Sequence, residues 1–237
     1  LFRLFGLCQA PLFFYCHFPD LLLTDHQGFF KRLYRYVVDR LEGWSIGMAD
    51  LICVNSNFTK GVVAETFPHL DATKLKVLYP TLNTKFFDSA PETELEDVPS
   101  SAKYLFVSIN RYERKKNIKL AIDAFADNVK IELLRRSTAV LYTPSNEHFG
   151  IVPVEAMYMR SCVIAVNSGG PNESIENGSS GFLVESNARA FAEVMAKLVR
   201  GELNREEIGE AGRKRVQSLF TFEHFSRKLE TLMQSLV

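Results

Sequence analysis

Short apolar runs of four to six residues alternate along this chain with stretches of helical periodicity. That alternation is the layout of βαβ units on mainly parallel sheets. In the first part, Phe13–His17, Leu51–Asn55 and Lys76–Tyr79 read as strands. The spacing predicts a helix over Phe29–Trp44, with Phe30, Leu33, Val37, Leu41 and Trp44 on one stripe and Lys31, Arg32, Arg35 and Arg40 largely off it. That stripe is expected to cover the sheet, and a membrane-surface role for the basic helix is the alternative. Ser56 is placed to cap a helix ending near Phe67.

Residues 88–97 change character: Asp88, Glu92, Glu94, Glu96 and Asp97 lie close to Pro91 and Pro99, as in a solvated connection. The expected organisation is a first domain over 1–87, a connection over 88–102, a second domain over 103–220 and a C-terminal helix over 221–237 that crosses back to the first. Strands are predicted at Tyr104–Ile109, Ala139–Tyr142 and Cys162–Val166. Helices are predicted from about Asn117, around Val152–Met159, and over Ala188–Arg200, Arg205–Leu219 and Glu223–Leu236.

The 28 basic and 28 acidic residues cancel, which removes the global electrostatic reason to expect a nucleic-acid partner. Four cysteines, Cys8, Cys16, Cys53 and Cys162, lack metal-ligand spacing and read as buried free thiols. No apolar stretch near the N-terminus reaches the roughly eighteen residues of a spanning helix. Neither G-x-G-x-x-G nor G-x-x-x-x-G-K-[ST] occurs, which argues against dinucleotide oxidoreductases and P-loop NTPases.

Four loops could carry chemistry. Residues 111–119 hold five basic residues against one acid, between a strand and a helix. Arg111 and Lys116 there would neutralise a diphosphate, or the segment is a solvated basic turn. Glu147 and Glu155 have seven residues between them, one in a loop and one on the helix after Pro153. Carboxylates accept hydrogen bonds from sugar hydroxyls, and Gly150 lets backbone approach a ligand; the alternative is a surface acid plus a helix-start acid. Ser168-Gly-Gly-Pro-Asn-Glu173 is either an anion-binding turn at Gly169 and Gly170 or a simple turn. His17, at a strand end, would donate to a sugar hydroxyl or move a proton, unless it is structural.

Together, their order and spacing resemble the retaining nucleotide-sugar glycosyltransferases of the GT-B class. The signature of that class includes an E-x7-E pair, a preceding Arg/Lys pair and a following Gly-Gly-x-x-Glu turn. Tyr15-Cys-His-Phe-Pro-Asp20, Ile109-Asn-Arg-Tyr-Glu-Arg-Lys-Lys-Asn117, Tyr142-Thr-Pro-Ser-Asn-Glu-His-Phe-Gly-Ile-Val-Pro153 and Val163-Ile-Ala-Val-Asn-Ser-Gly-Gly-Pro171 narrow the likeness. They are similar to the alpha-1,3/1,6-mannosyltransferase family of the dolichol-linked oligosaccharide pathway.

The resemblance implies an α/β fold of GT-B type, two Rossmann-like domains facing a cleft, with the N-terminal, acceptor-side domain incomplete. It implies GDP-mannose as donor, a mannosylated chitobiosyl diphosphodolichol as acceptor, and the cytosolic face of the endoplasmic reticulum membrane as the place. Arg111 and Lys116 then take the diphosphate. Glu147 and the Phe149-Gly150 backbone take the mannose, Ile151 belongs to the same donor side, and Glu155 takes the ribose. Gly169, Gly170 and Glu173 complete the donor side, and His17 matches the family's acceptor-side histidine. Basic neutralisation of the diphosphate implies no metal and no cofactor. The resemblance further implies a chain shortened at its N-terminus and by an internal deletion near Val129 and Lys130. A catalytically inactive chain that binds GDP-sugar or a partner without turnover is the alternative function.

Overall fold

The computed structural model describes residues 10–24, 29–93, 95, 98, 101–109 and 129–236. They form two compact units: one is the chain up to Tyr79 together with Phe225 onward, and the other runs from Pro80 to His224.

In the first unit, β1 (Phe13–Cys16), β2 (Leu51–Val54) and β3 (Leu75–Val77) form a parallel sheet in that order. Central strand β2 is buried at every residue, which explains its unbroken apolar sequence: both faces are covered. On one face Ile52, Val54, Cys16 and Leu75 pack with Ile46 and Ala49, and with Val63 and Phe67 from α3 (Asn57–Thr66) and its end. On the other, Leu51, Cys53, Leu78, Phe13 and Tyr15 meet Phe225, Leu229, Leu232 and Leu236 of the C-terminal segment. Their spacing is one helical stripe, so the last helix belongs to the first sheet. Ser56 caps α3 as expected, its hydroxyl accepting from the Thr59 N–H at 2.9 Å.

The helix α2 (Phe29–Gly47) reverses the expected orientation. Leu33, Val37, Leu41 and Trp44 are 49–60% exposed, while Arg35, Gly43 and Ile46 are buried. Phe30, also expected on the stripe, lies outside the described side chains. Hydrogen bonding decides the reversal. Arg35 is clamped by Asp20 at 2.8 Å and Asp39 at 2.5 Å. Glu42 accepts the backbone N–H groups of Asp20 and Leu21, at 2.7 and 3.0 Å. The charged face thereby fixes the short helix α1 (Asp20–Leu23) that follows β1. Turning the apolar stripe inward would leave those backbone groups without these partners.

In the second unit, β4 (Phe106–Val107), β5 (Ala139–Tyr142), β6 (Cys162–Val166) and β7 (Phe182–Val184) form a parallel sheet in that order. Ala139, Cys162, Ile164 and Val166 pack on Phe191, Leu198 and Ile208 from α8 (Ala188–Arg200) and α9 (Arg205–Leu219). The opposite layer holds α6 (Ile151–Tyr158), six of whose eight residues are buried. A helical stretch at 129–136, here α5, precedes β5. Asn187 and Asn204 cap α8 and α9 through their side-chain oxygens.

The division between units lies at Tyr79–Pro80, ahead of the acidic stretch where the sequence places it. The reason is α4 (Thr84–Ser89): Phe87 packs edge-on against Tyr158 at 6.1 Å, and Asp88 accepts from the Tyr158 hydroxyl at 2.7 Å and from Arg213 at 3.1 Å. These contacts tie residues 84–89 to α6 and α9.

Cys16, Cys53 and Cys162 are free and buried; Cys8 lies outside the described residues. Burial pushes the first two thiols up to about 11 and Cys162 up to about 12. At pH 8 a disulfide reagent should therefore label at most one thiol in the native protein, and all four in denaturant. Rapid native labelling of two or more would contradict this packing. Because the folded chain keeps these protons while the unfolded one releases them above about pH 8.5, stability should fall as pH rises from there toward 11.

Candidate functional site

In the second unit the sheet brings two loops together at the carboxyl ends of adjacent strands. One leaves β5 after Tyr142 and runs to Gly150, and the other leaves β6 after Val166 and runs to α7 (Pro171–Ser174). Open parallel sheets bind ligands at this end. The two loops are locked backbone to backbone. Gly170 N–H donates to the Glu147 carbonyl at 2.8 Å, and Ser168 Oγ accepts from Asn146 N–H at 2.9 Å while donating to Asn146 Oδ1 at 3.0 Å. Asn146 itself takes a left-handed conformation, φ 57°.

The glycines have a steric role that a generic turn would not need. A Cβ on Gly169, φ 65°, would stand 2.4 Å from the Glu147 carbonyl oxygen, and one on Gly170 would stand 2.3 Å from Phe149 Cα. Their bareness serves the contact between loops, and the Gly170 N–H is already engaged with Glu147. Gly150, in the left-handed region at φ 79°, sits over the Tyr142 ring and opens α6 at Ile151. Phe149 is buried, its ring edge-on to Phe220 at 5.6 Å. Glu147 and His148 are half-buried at the loop surface.

Glu155, on the second turn of α6, is nearly buried and paired with Lys130 of α5 at 2.6 Å. Glu173 lies in the single turn of α7. Arg215 of α9 holds that turn by its end, donating to the carbonyls of Ser174 at 2.7 Å and Glu173 at 2.9 Å. Arg111 and Lys116 lie outside the described residues. Among the described residues no three His, Cys, Asp or Glu side chains group as a metal-binding set.

In the first unit, His17 is exposed directly after β1, beside the end of β2. The fully buried Asn55 holds it: Nδ2 donates to the His17 carbonyl at 3.1 Å and lies 3.4 Å from Nδ1.

Sequence reasoning missed Asn55, Lys130 and Arg215. Asn55 had a signal, a polar residue closing an apolar strand. Arg215 had none, since its partners are 41 and 42 residues away. Replacing Asn55 with alanine is expected to cut turnover about tenfold, the rate equivalent of ~1.4 kcal/mol, by freeing the imidazole. Steady-state rates alongside melting curves measure this, and an unchanged rate in a folded variant would show that His17 needs no holding.

Paired parallel α/β sheets with this loop pair define a glycosyltransferase of the GT-B class. The family model for "Glycosyl transferases group 1" matches residues 127–215, from just ahead of α5 through most of α9. The chain belongs to the alpha-1,3/1,6-mannosyltransferase family. It is 42% identical over 278 residues to the human alpha-1,3/1,6-mannosyltransferase ALG2, covering 93% of this chain and 67% of that protein. The Dictyostelium discoideum protein of the same name is 33% identical over 307 residues, covering 100% of this chain and 72% of its own. That span exceeds the 237 residues here, so the Dictyostelium protein carries internal residues with no counterpart in this chain.

Solved structures agree on the fold. Sucrose-phosphate synthase from Thermosynechococcus elongatus superposes with a TM-score of 0.69 at 17% identity, over 99% of this chain and 70% of that one. Anabaena Alr3699/HepE in complex with UDP gives 0.69 at 18%, over 96% and 73%.

Proposed function

We propose that this mannosyltransferase uses GDP-mannose as donor and a mannosylated chitobiosyl diphosphodolichol as acceptor, at the cytosolic face of the endoplasmic reticulum membrane. The observation that carries the reading is the identity with alpha-1,3/1,6-mannosyltransferases across 93% or more of the chain.

Within this reading, Arg111 and Lys116 neutralise the diphosphate, which lowers the barrier to its departure without a metal ion. The bond from the mannose anomeric carbon to the diphosphate oxygen breaks, its electrons leaving with GDP. An acceptor hydroxyl forms the new glycosidic bond and gives up its proton to the oxygen of the departing diphosphate. The locked loop offers Glu147 and the Phe149-Gly150 backbone to the sugar, where positive charge develops at the anomeric centre, with Ile151 next to them on the donor side. Glu155 accepts from the ribose hydroxyls and is held in place by Lys130. Gly169, Gly170 and Glu173 lie beside that loop on the donor side, and His17 offers a ring N–H to a sugar hydroxyl on the acceptor side.

Incubating the chain with GDP-mannose and a short-chain mannosylated lipid diphosphate should yield product heavier by one or two hexoses, with GDP released and no loss of rate in EDTA. No product from a folded sample would refute the activity. A rate abolished by EDTA and restored by a divalent cation would refute the metal-free part alone.

A further inference from the structure

Among the described residues, the exposed hydrophobic surface is concentrated in one stretch: ten of the fifteen large exposed apolar side chains fall between Leu12 and Trp44. Leu33, Val37, Leu41 and Trp44 run along α2 at helical spacing, a strip of roughly 16 Å, with Tyr34 beside them. Leu22 and Leu23 of α1 are also exposed, and Glu42 ties α1 to this helix. Contiguous exposed apolar area on this scale marks a contact surface.

The charges of α2 are sorted. Both of its acids point to the protein, Asp39 onto Arg35 and Glu42 onto backbone N–H groups of α1. Lys31, Arg32 and Arg40 are exposed, with Arg40 stacked over the Tyr36 ring at 4.7 Å. What faces outward is therefore an apolar strip containing tryptophan and tyrosine, with Lys31, Arg32 and Arg40 exposed on the same helix and Asp20 of α1 the exposed acid nearby, itself paired with Arg35. No described helix is long and apolar enough to cross a membrane. Amphipathic helices that lie in the plane of an anionic bilayer have this composition.

We propose that α2, with Leu22 and Leu23, is the face on which this protein docks onto an anionic phospholipid bilayer. Leu33, Val37, Leu41 and Trp44 enter the boundary of the acyl chains, and Lys31, Arg32 and Arg40 meet the headgroup phosphates. Arg35 offsets the acidic charge beside that surface, pairing with the largely buried side chain of Asp39 and with the exposed one of Asp20. The inference rests on the function above in one respect, that a lipid-linked acceptor brings the enzyme to a membrane. Docking itself needs no turnover, so it is tested without donor or acceptor.

Trp44 is the only tryptophan in the chain, so its fluorescence reports this face alone. Added to the full chain, vesicles of phosphatidylcholine with phosphatidylserine should blue-shift the emission, brominated acyl chains should quench it, and the protein should float with the vesicles. Pure phosphatidylcholine should bind at least about tenfold more weakly, because three cations lose their partners. Lys31→Gln, Arg32→Gln and Arg40→Gln should each weaken anionic binding roughly fivefold. Val37→Ser with Leu41→Ser should weaken binding to both vesicles, with unchanged melting curves because these side chains are already exposed.

Absence of a shift and of flotation with anionic vesicles, from a chain that melts cooperatively, would overturn the proposal. So would a blue shift that grows with protein concentration in the absence of lipid, which would assign the face to a second copy. Failure of docking leaves transfer to a short-chain acceptor intact, so the two hypotheses fall separately.

Discussion

Gly170→Ala is expected to destabilise the second unit by about 3 kcal/mol and to abolish mannosyl transfer. The added methyl would stand 2.3 Å from both the Cα and the carbonyl oxygen of Phe149, and these are backbone atoms that cannot rotate aside. Phe149 cannot retreat either, because its buried ring is packed against Phe220. Relief would require the two loops to part, breaking the bond from Gly170 N–H to the Glu147 carbonyl and shifting the carboxylate on that residue. Gly178→Ala is the matched control. It carries the same methyl at φ 83° with nothing within 4 Å, so it should cost only about 1 kcal/mol, from backbone strain alone, and leave the rate intact. Urea unfolding with GDP binding separates the two, and a Gly170→Ala protein as stable as the control would mean that the loop contact is not a constraint.

Glu147→Gln should reduce the transfer rate at saturating donor by about 10²–10³-fold while changing GDP affinity little. The substitution keeps size and leaves the backbone bond to Gly170 in place, so it removes charge where positive charge develops on the sugar. Glu155→Gln should behave differently. It weakens the pairing with Lys130 and, on the proposed assignment, a ribose acceptor, so the donor KM rises more than kcat falls. Rates measured over a range of GDP-mannose concentrations distinguish these patterns. If Glu147→Gln stays within twofold of the parent, the charge of that residue has no part in the chemistry.

Much of the fold is legible because it depends on spacing along the chain. The periods of Ala188–Arg200 and Arg205–Leu219 mark α8 and α9 to the residue, and the apolar runs place β5 and β6 at their observed ends. The short strand β7 (Phe182–Val184) is missed, since three residues after a glycine-containing turn carry no period. The loops were legible as candidates through residue type: Glu147, Gly150, Gly169 and Gly170 all lie in the two loops that the second sheet joins. Their reason differs from the one residue type suggests. The bareness of Gly169 and Gly170 admits the neighbouring loop, a contact between positions more than twenty residues apart.

By itself, then, the sequence determined the parallel α/β class, the positions of its long elements and the family to which the motifs belong. These follow from local periodicity and from runs of consecutive residues. Tertiary structure alone decided which face of α2 is buried, that residues 84–89 join the second unit, that Asn55 holds His17 in the first unit, and that Lys130 and Arg215 hold Glu155 and the turn at Glu173 in the second. The physical reason is the same in each case. Hydrophobic period predicts that a helix has two faces, but polar partners supplied from elsewhere in the chain select the one that turns inward. For α2 those partners are Asp20 and the backbone N–H groups of Asp20 and Leu21.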